Sequence, residues 1–213
     1  MMQNKMKVFL FQGDSITDAG RNRDETGKGS RGYPTFVEGK LGVLYPNELS
    51  FYNKGVSGDR SVDMYARIKR DFINLKPDYA TILIGVNDVW HELNDDPNGV
   101  ADEKYYRVYR DFLAEVLDAV PDCKIMILEP FVLKASGTEG RYDVFRPEVE
   151  KRAASARRLA EQFNLTFIPL QQRFDELTRL APPSFWLADG VHPTAAGHEI
   201  IAEAVVEAFK KLR

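Results

Sequence analysis

With 213 residues, 44% of them hydrophobic, the chain can bury a full core and is short enough to expect one domain over residues 1–213. Its 29 basic and 32 acidic residues leave a formal net charge of -3, which excludes a nucleic-acid binder built on a basic excess. Cys123 is the only cysteine, so no intrachain disulfide can form and a reducing compartment is the simplest setting.

At the N-terminus, MMQNKMKVFLFQGDS contains an apolar run of four residues, too short for a secretion signal or a membrane span. A soluble cytoplasmic protein is therefore expected, and the glycosylation sequon at residues 164–166 has no chemical meaning in that setting. Five short apolar runs follow along the chain: KVFLFQ (7–12), LSFYNK (49–54), YATILIGV (79–86), CKIMILEP (123–130) and LTFIPL (165–170). The first, third and fourth are nearly continuous in apolar residues, as a strand covered on both faces requires. Cys123 reads as a small buried residue of the fourth.

Helical periodicity fills the gaps. Tyr109, Phe112, Leu113, Val116, Leu117 and Val120 share one face of residues 104–120. Val149, Ala153, Ala156, Ala160 and Phe163 form a second such stripe, and Ile201, Ala204, Val205, Ala208, Phe209 and Leu212 a third. Strand–helix alternation predicts an α/β fold, a parallel sheet between helices. Two irregular stretches, residues 17–32 and 180–193, are long for connections in such a domain and are candidates for site-forming loops.

Ligands of an open parallel sheet bind at the carboxyl ends of its strands. Those ends read GDSIT after the first run, GVSGDR after the second and GVND after the third, with DGVHP before the last helix. Together they supply Ser15, Gly58, Asn87, Asp189 and His192, an inventory for acyl transfer. A serine hydroxyl needs a base to take its proton, and the base needs an acceptor on its other nitrogen. His192 and Asp189, three residues apart, suit those two roles. The backbone N–H groups of Ser15 and Gly58 and the side-chain amide of Asn87 would face the developing oxyanion.

Each residue also has a plain structural reading. Ser15 alone is a helix N-cap, Gly58 a turn glycine, Asn87 an Asx-turn residue, Asp189 a turn carboxylate, and His192 the end of a loop before Pro193. Asp14 and Asp88 are expected to brace their turns by accepting backbone N–H bonds. No zinc-ligand spacing joins His198 to Asp189 and His192, so His198, in the first turns of the last helix, is expected in a core or surface role, and His91, beside Trp90 at the cleft border, in a structural or solvated one. The G-x-G-x-x-G match at residues 27–32 follows no strand and reads as a flexible loop. Tyr33, Trp90, Phe185 and Trp186 flank the candidate loops, and Tyr33, Trp90 and Trp186 are expected to stack on substrate.

GDSITDAG, NKGVSGDR, IGVNDVW and DGVHPTAAGH resemble, in order, the four blocks of the SGNH hydrolases, also called GDSL esterases. GDSI stands where the family usually has GDSL, an exchange of one aliphatic for another. The resemblance implies a flavodoxin-like three-layer α/β/α sandwich with a five-stranded parallel sheet. It also implies ester hydrolysis through an acyl-serine, without metal or cofactor. Ser15 would be nucleophile and oxyanion donor, Gly58 and Asn87 the other donors, and Asp189 and His192 the rest of the triad. The finer pattern is similar to acetylxylan esterases and related carbohydrate deacetylases. A small-molecule or oligosaccharide ester is then the expected partner, with no nucleic acid and no membrane, and a homo-oligomer is allowed. The competing readings are a thioesterase or lysophospholipase of the same family, or a non-catalytic sugar-binding protein.

Overall fold

A computed structural model describes residues 5–213; residues 1–4 of the N-terminal stretch weighed above as a leader lie outside the described residues. In chain order the regular elements are β1 (Lys7–Gly13), α1 (Ser15–Asp18), α2 (Tyr33–Leu44), β2 (Leu49–Asn53), α3 (Ser61–Ala66), α4 (Ile68–Asp71), β3 (Tyr79–Leu83) and α5 (Val86–Trp90). They continue with α6 (Asp102–Ala119), β4 (Lys124–Leu128), α7 (Tyr142–Gln162), β5 (Thr166–Ile168), α8 (Gln171–Leu177), α9 (Pro183–Trp186) and α10 (Ala195–Leu212). All five apolar runs contain a strand. Cys123 is buried one position before β4 rather than within it, its N–H donating to the Val120 carbonyl that ends the preceding helix.

The strands form one parallel sheet in the order β2-β1-β3-β4-β5. Successive β1 side chains point to opposite faces, and both faces are covered. Phe9 and Phe11 pack with Val37 and Leu41 of α2 and Val205 and Phe209 of α10. Leu10 packs on the other side with Met64 of α3, Phe112 and Leu113 of α6, and Leu159 of α7. The result is a three-layer α/β/α sandwich. Chain order reverses at β1: the path leaves to β2 on one side and returns to β3 on the other, opening a crevice at the carboxyl ends of β1 and its two neighbours.

The predicted stripes on α6 and α10 bury their central residues, while Leu117, Val120, Ala208 and Leu212 pack at the margin. Helix α2 carries a weaker sequence signal, because beyond Tyr33 and Pro34 in its first turn only Val37 and Leu41 are buried, and Gly39 and Gly42 interrupt the polar side. Among the described residues no helix is long and apolar enough to cross a membrane.

Candidate active site

Ser15 is the first residue of α1, immediately beyond the turn that ends β1. The cap of this one-turn helix is Asp14, not Ser15: its carboxylate accepts the Ile16 N–H at 2.9 Å. The Ser15 hydroxyl is thereby left to face His192, with Oγ 2.9 Å from Nε2 across a separation of 177 residues. Asp14 is fully buried, and burial pushes its carboxyl up to about 7.

His192 is held by the turn that begins at Asp189. Oδ1 of Asp189 accepts the backbone N–H groups of Val191 (2.9 Å) and His192 (2.8 Å), while Oδ2 lies 2.7 Å from His192 Nδ1. A carboxylate facing Nδ1 assigns the proton to that nitrogen, so neutral His192 presents the Nε2 lone pair to Ser15. Burial works to raise the Asp189 pKa, but the imidazole and the two N–H donors outweigh it and hold the carboxyl well below the usual range. Reciprocally, the hydrogen bond to Asp189 raises His192 above 6.5, against the opposing effect of partial burial.

A segment without a sequence signal fixes this turn. The Leu133 N–H donates to the Gly190 carbonyl and the Gly137 N–H to the Asp189 carbonyl, both at 2.9 Å. Thr138 is fully buried; its hydroxyl donates to the Leu133 carbonyl (2.6 Å) and accepts the Ala135 N–H (3.0 Å). Gly190 has φ +99°, and a Cβ there would overlap Thr138 Oγ1 and the Leu133 carbonyl oxygen. Gly190→Ala is therefore expected to cost about 1–3 kcal/mol. It should lower Tm by several degrees and slow turnover below the melt, because His192 is displaced. Thermal melting and kcat measured together check this, and wild-type values for both would show that the turn is not constrained.

Three further groups stand at adjacent strand ends. The N–H of Ser15 and that of Gly58 have no partner among the described residues. Gly58 sits in an exposed turn at φ +85° with open space around it, so left-handed backbone, not close packing, explains the glycine. Asn87, on α5, is buried and donates one amide hydrogen to the Asp59 carbonyl at 3.1 Å, leaving a second hydrogen available. The Val56 N–H donates to the Gly13 carbonyl (3.0 Å), tying the turn after β2 to the end of β1. Asp88 bonds the adjacent segment rather than its own turn: its carboxylate accepts the Ser61 N–H (3.1 Å) and hydroxyl (2.5 Å), and burial pushes it up to about 7.

Of the aromatic residues named at the loops, one is out of reach of a ligand. Tyr33 is wholly buried, so its expected stacking on substrate is corrected. Its hydroxyl lies 3.1 Å from Thr17 Oγ1 and 3.3 Å from Thr81 Oγ1, and burial pushes it up to about 12. Trp90 is half-buried, edge-on to Phe145, with the Arg141 guanidinium 4.6 Å from its ring centre. Trp186 is half-buried and donates its Nε1–H to the Leu177 carbonyl at 3.0 Å, edge-on to Phe185. Phe185 is the most open of the four, at 54% exposure. His198 is buried, accepts the Tyr33 N–H at Nδ1 (3.1 Å), and is held neutral, burial lowering it to about 4. That is the core one of the two roles expected for it.

Ser15, His192 and Asp189 thus lie in a hydrogen-bonded line at the switch point of the α/β sheet, an arrangement that can ready a hydroxyl for attack on a carbonyl. Residues 11–200 match the GDSL-like lipase/acylhydrolase family, and the chain belongs to it. It is a carboxylic ester hydrolase. Among its relatives is an acetylxylan esterase of Geobacillus stearothermophilus, 36% identical over 204 residues, with 92% of this chain and 90% of that protein covered. The crystal structure of Axe2, an acetylxylan esterase from Geobacillus stearothermophilus, superposes with a TM-score of 0.85 at 32% identity, covering 97% of this chain and 95% of that one. LAE5, an alpha/beta hydrolase enzyme from the metagenome of Lake Arreo, superposes with a TM-score of 0.85 at 30% identity over the whole of both chains. Axe2 variants with a serine or an aspartate replaced by alanine are described as catalytic mutants of that enzyme.

Proposed function

We propose that this esterase removes short acyl groups, chiefly acetyl, from xylo-oligosaccharides or related carbohydrates through an acyl-serine intermediate. Ser15 Oγ attacks the ester carbonyl while His192 Nε2 takes its proton, and Asp189 stabilises the imidazolium. The N–H groups of Ser15 and Gly58 and the Asn87 amide donate to the carbonyl oxygen as it becomes an oxyanion. As the intermediate collapses and the ester C–O bond breaks, His192 gives the proton to the departing sugar oxygen, which leaves as a hydroxyl. A water deprotonated by the same nitrogen attacks the acyl-serine; the acyl C–Oγ bond breaks, acetate leaves, and the imidazolium returns the proton to Ser15 Oγ.

The observation that carries this reading is the continuous line from Ser15 Oγ through His192 to the Asp189 carboxylate. Its position supports the choice of substrate: the His192 side chain is 50% exposed and Ser15 half-buried, a shelf that accepts a bulky alcohol. The acetylxylan esterases among the relatives support the same acyl group.

Acetate release from acetylated xylo-oligosaccharides should exceed hydrolysis of octanoyl esters and thioesters by roughly 10-fold or more in kcat/KM. Faster octanoyl or thioester cleavage would replace this reading with a lysophospholipase or thioesterase. Binding of acetylated sugars without turnover, and without serine labelling by a fluorophosphonate, would replace it with a sugar-binding protein.

A further inference from the structure

Between α3 and α4 a single guanidinium bonds the segments of two proposed oxyanion donors, Ser15 and Gly58, and reaches that of the third, Asn87, through Asp59. Arg67 is only 10% exposed at its side chain. Its Nε–H donates to Asp59 Oδ2 at 2.6 Å, and Nη1 donates to the Lys54 carbonyl (2.7 Å), Asp71 Oδ2 (2.9 Å) and Gln12 Oε1 (3.2 Å). Nη2 reaches the Gly13 carbonyl at 3.2 Å. Gly13 precedes the Asp14–Ser15 turn, Lys54 opens the turn that contains Gly58, and Asp59 closes it. The Asp59 carbonyl in turn holds the Asn87 amide. Two buried carboxylates, Asp59 and Asp71, the second shared with Arg70, pair with the guanidinium and keep it from swinging away.

We propose that Arg67 is the positioning residue of the oxyanion array, setting the mutual placement of the Ser15 N–H, the Gly58 N–H and the Asn87 amide without touching substrate. Oxyanion donors act through pre-set geometry, and displacing them by about 1 Å can cost roughly 10²-fold in rate. Lysine retains the charge but has a single-point ammonium, which cannot span carbonyls and carboxylates lying on different sides of a planar fork. The inference rests on the assignment of Ser15, Gly58 and Asn87 as donors.

A double-mutant cycle on the full chain tests it, with kcat and KM measured on an aryl acetate well below each variant's Tm. Asn87→Ala should lower kcat roughly 10²-fold, the loss of one donor. Arg67→Lys should lower kcat roughly 10- to 100-fold while KM stays within about 3-fold, the pattern of an interaction made only in the transition state. In the double variant the losses should fall far short of multiplying, because Arg67→Lys has already displaced the Asn87 amide. Fully multiplicative losses would overturn the proposal and leave Arg67 a stabilising residue only. So would a wild-type kcat in Arg67→Lys beside a slow Asn87→Ala. A wild-type kcat in Asn87→Ala refutes the donor assignment itself, a distinguishable failure. Asp59→Asn preserves side-chain shape and removes one charged partner of Arg67. Should Arg67→Lys not fold, Asp59→Asn takes its place in the cycle, with a smaller kcat loss expected and the same criterion of non-additivity.

Discussion

Ser15→Ala is expected to abolish hydrolysis of aryl acetates and labelling by a fluorophosphonate while leaving the melting temperature within a few degrees of wild type. Removal of a serine nucleophile that acts with a histidine costs on the order of 10⁶-fold in kcat. The fold should tolerate the change because the Ser15 hydroxyl bonds His192 alone, whereas the cap of α1 is the Asp14 carboxylate on the Ile16 N–H. Alanine at the first position of a helix also carries no propensity cost. Wild-type turnover in this variant would remove Ser15 from the mechanism. A large fall in Tm would instead assign its hydroxyl a structural role that the observed bonds do not provide.

Asp189→Asn should lower kcat by roughly 10⁴-fold, the size expected when a base is held in the wrong tautomer. In the native turn, Oδ1 accepts two backbone N–H groups and Oδ2 faces Nδ1–H of His192. An asparagine that keeps its carbonyl on the backbone donors turns its NH2 toward Nδ1. The imidazole proton then moves to Nε2, where it blocks acceptance of the Ser15 proton. A pH profile supplies a second readout. The Asp189 hydrogen bond raises the His192 pKa above 6.5, and His192 must be neutral to act as base. Wild-type kcat/KM should therefore fall as pH drops through a value above 6.5, and in the variant this acid limb should move to lower pH. An unmoved limb together with a small loss of kcat would show that Asp189 does not set the state of His192. Stability follows the opposite sign for the carboxylate. Its folded pKa is depressed below 3.8, so the stability it contributes is present above about pH 4 and is lost as pH falls through the depressed value.

Linear patterns carried the strands and the residues at their ends because both are local consequences of composition. KVFLFQ is apolar on both of its sides, so it needs cover on both faces wherever it lies, and the polar residues that follow must emerge at the carboxyl edge. The weak points share another cause. Tyr33 beside a glycine-rich loop reads like an exposed aromatic, yet α2 closes over β1 and delivers its hydroxyl to Thr17 and Thr81. Residues 129–141 brace Asp189 and Gly190 largely through backbone groups, which leave no residue-type signature. Arg67 looks like any helical arginine until Lys54, Asp59 and Gly13 surround it.

Hydrophobic periodicity and side-chain chemistry are properties of short stretches, so the α/β class, the segments at the ligand edge and the chemical types available there were legible in the chain itself. How those types are used depends on contacts between distant segments. His192 and His198 lie six positions apart on one segment and have the same intrinsic pKa. Chain closure over β1 leaves His192 half-exposed between Ser15 and Asp189, and buries His198 against the Tyr33 N–H. Burial and partner, not residue type, separate a candidate base from a neutral structural imidazole, because solvation and neighbouring charge are set by contacts between residues remote in the chain.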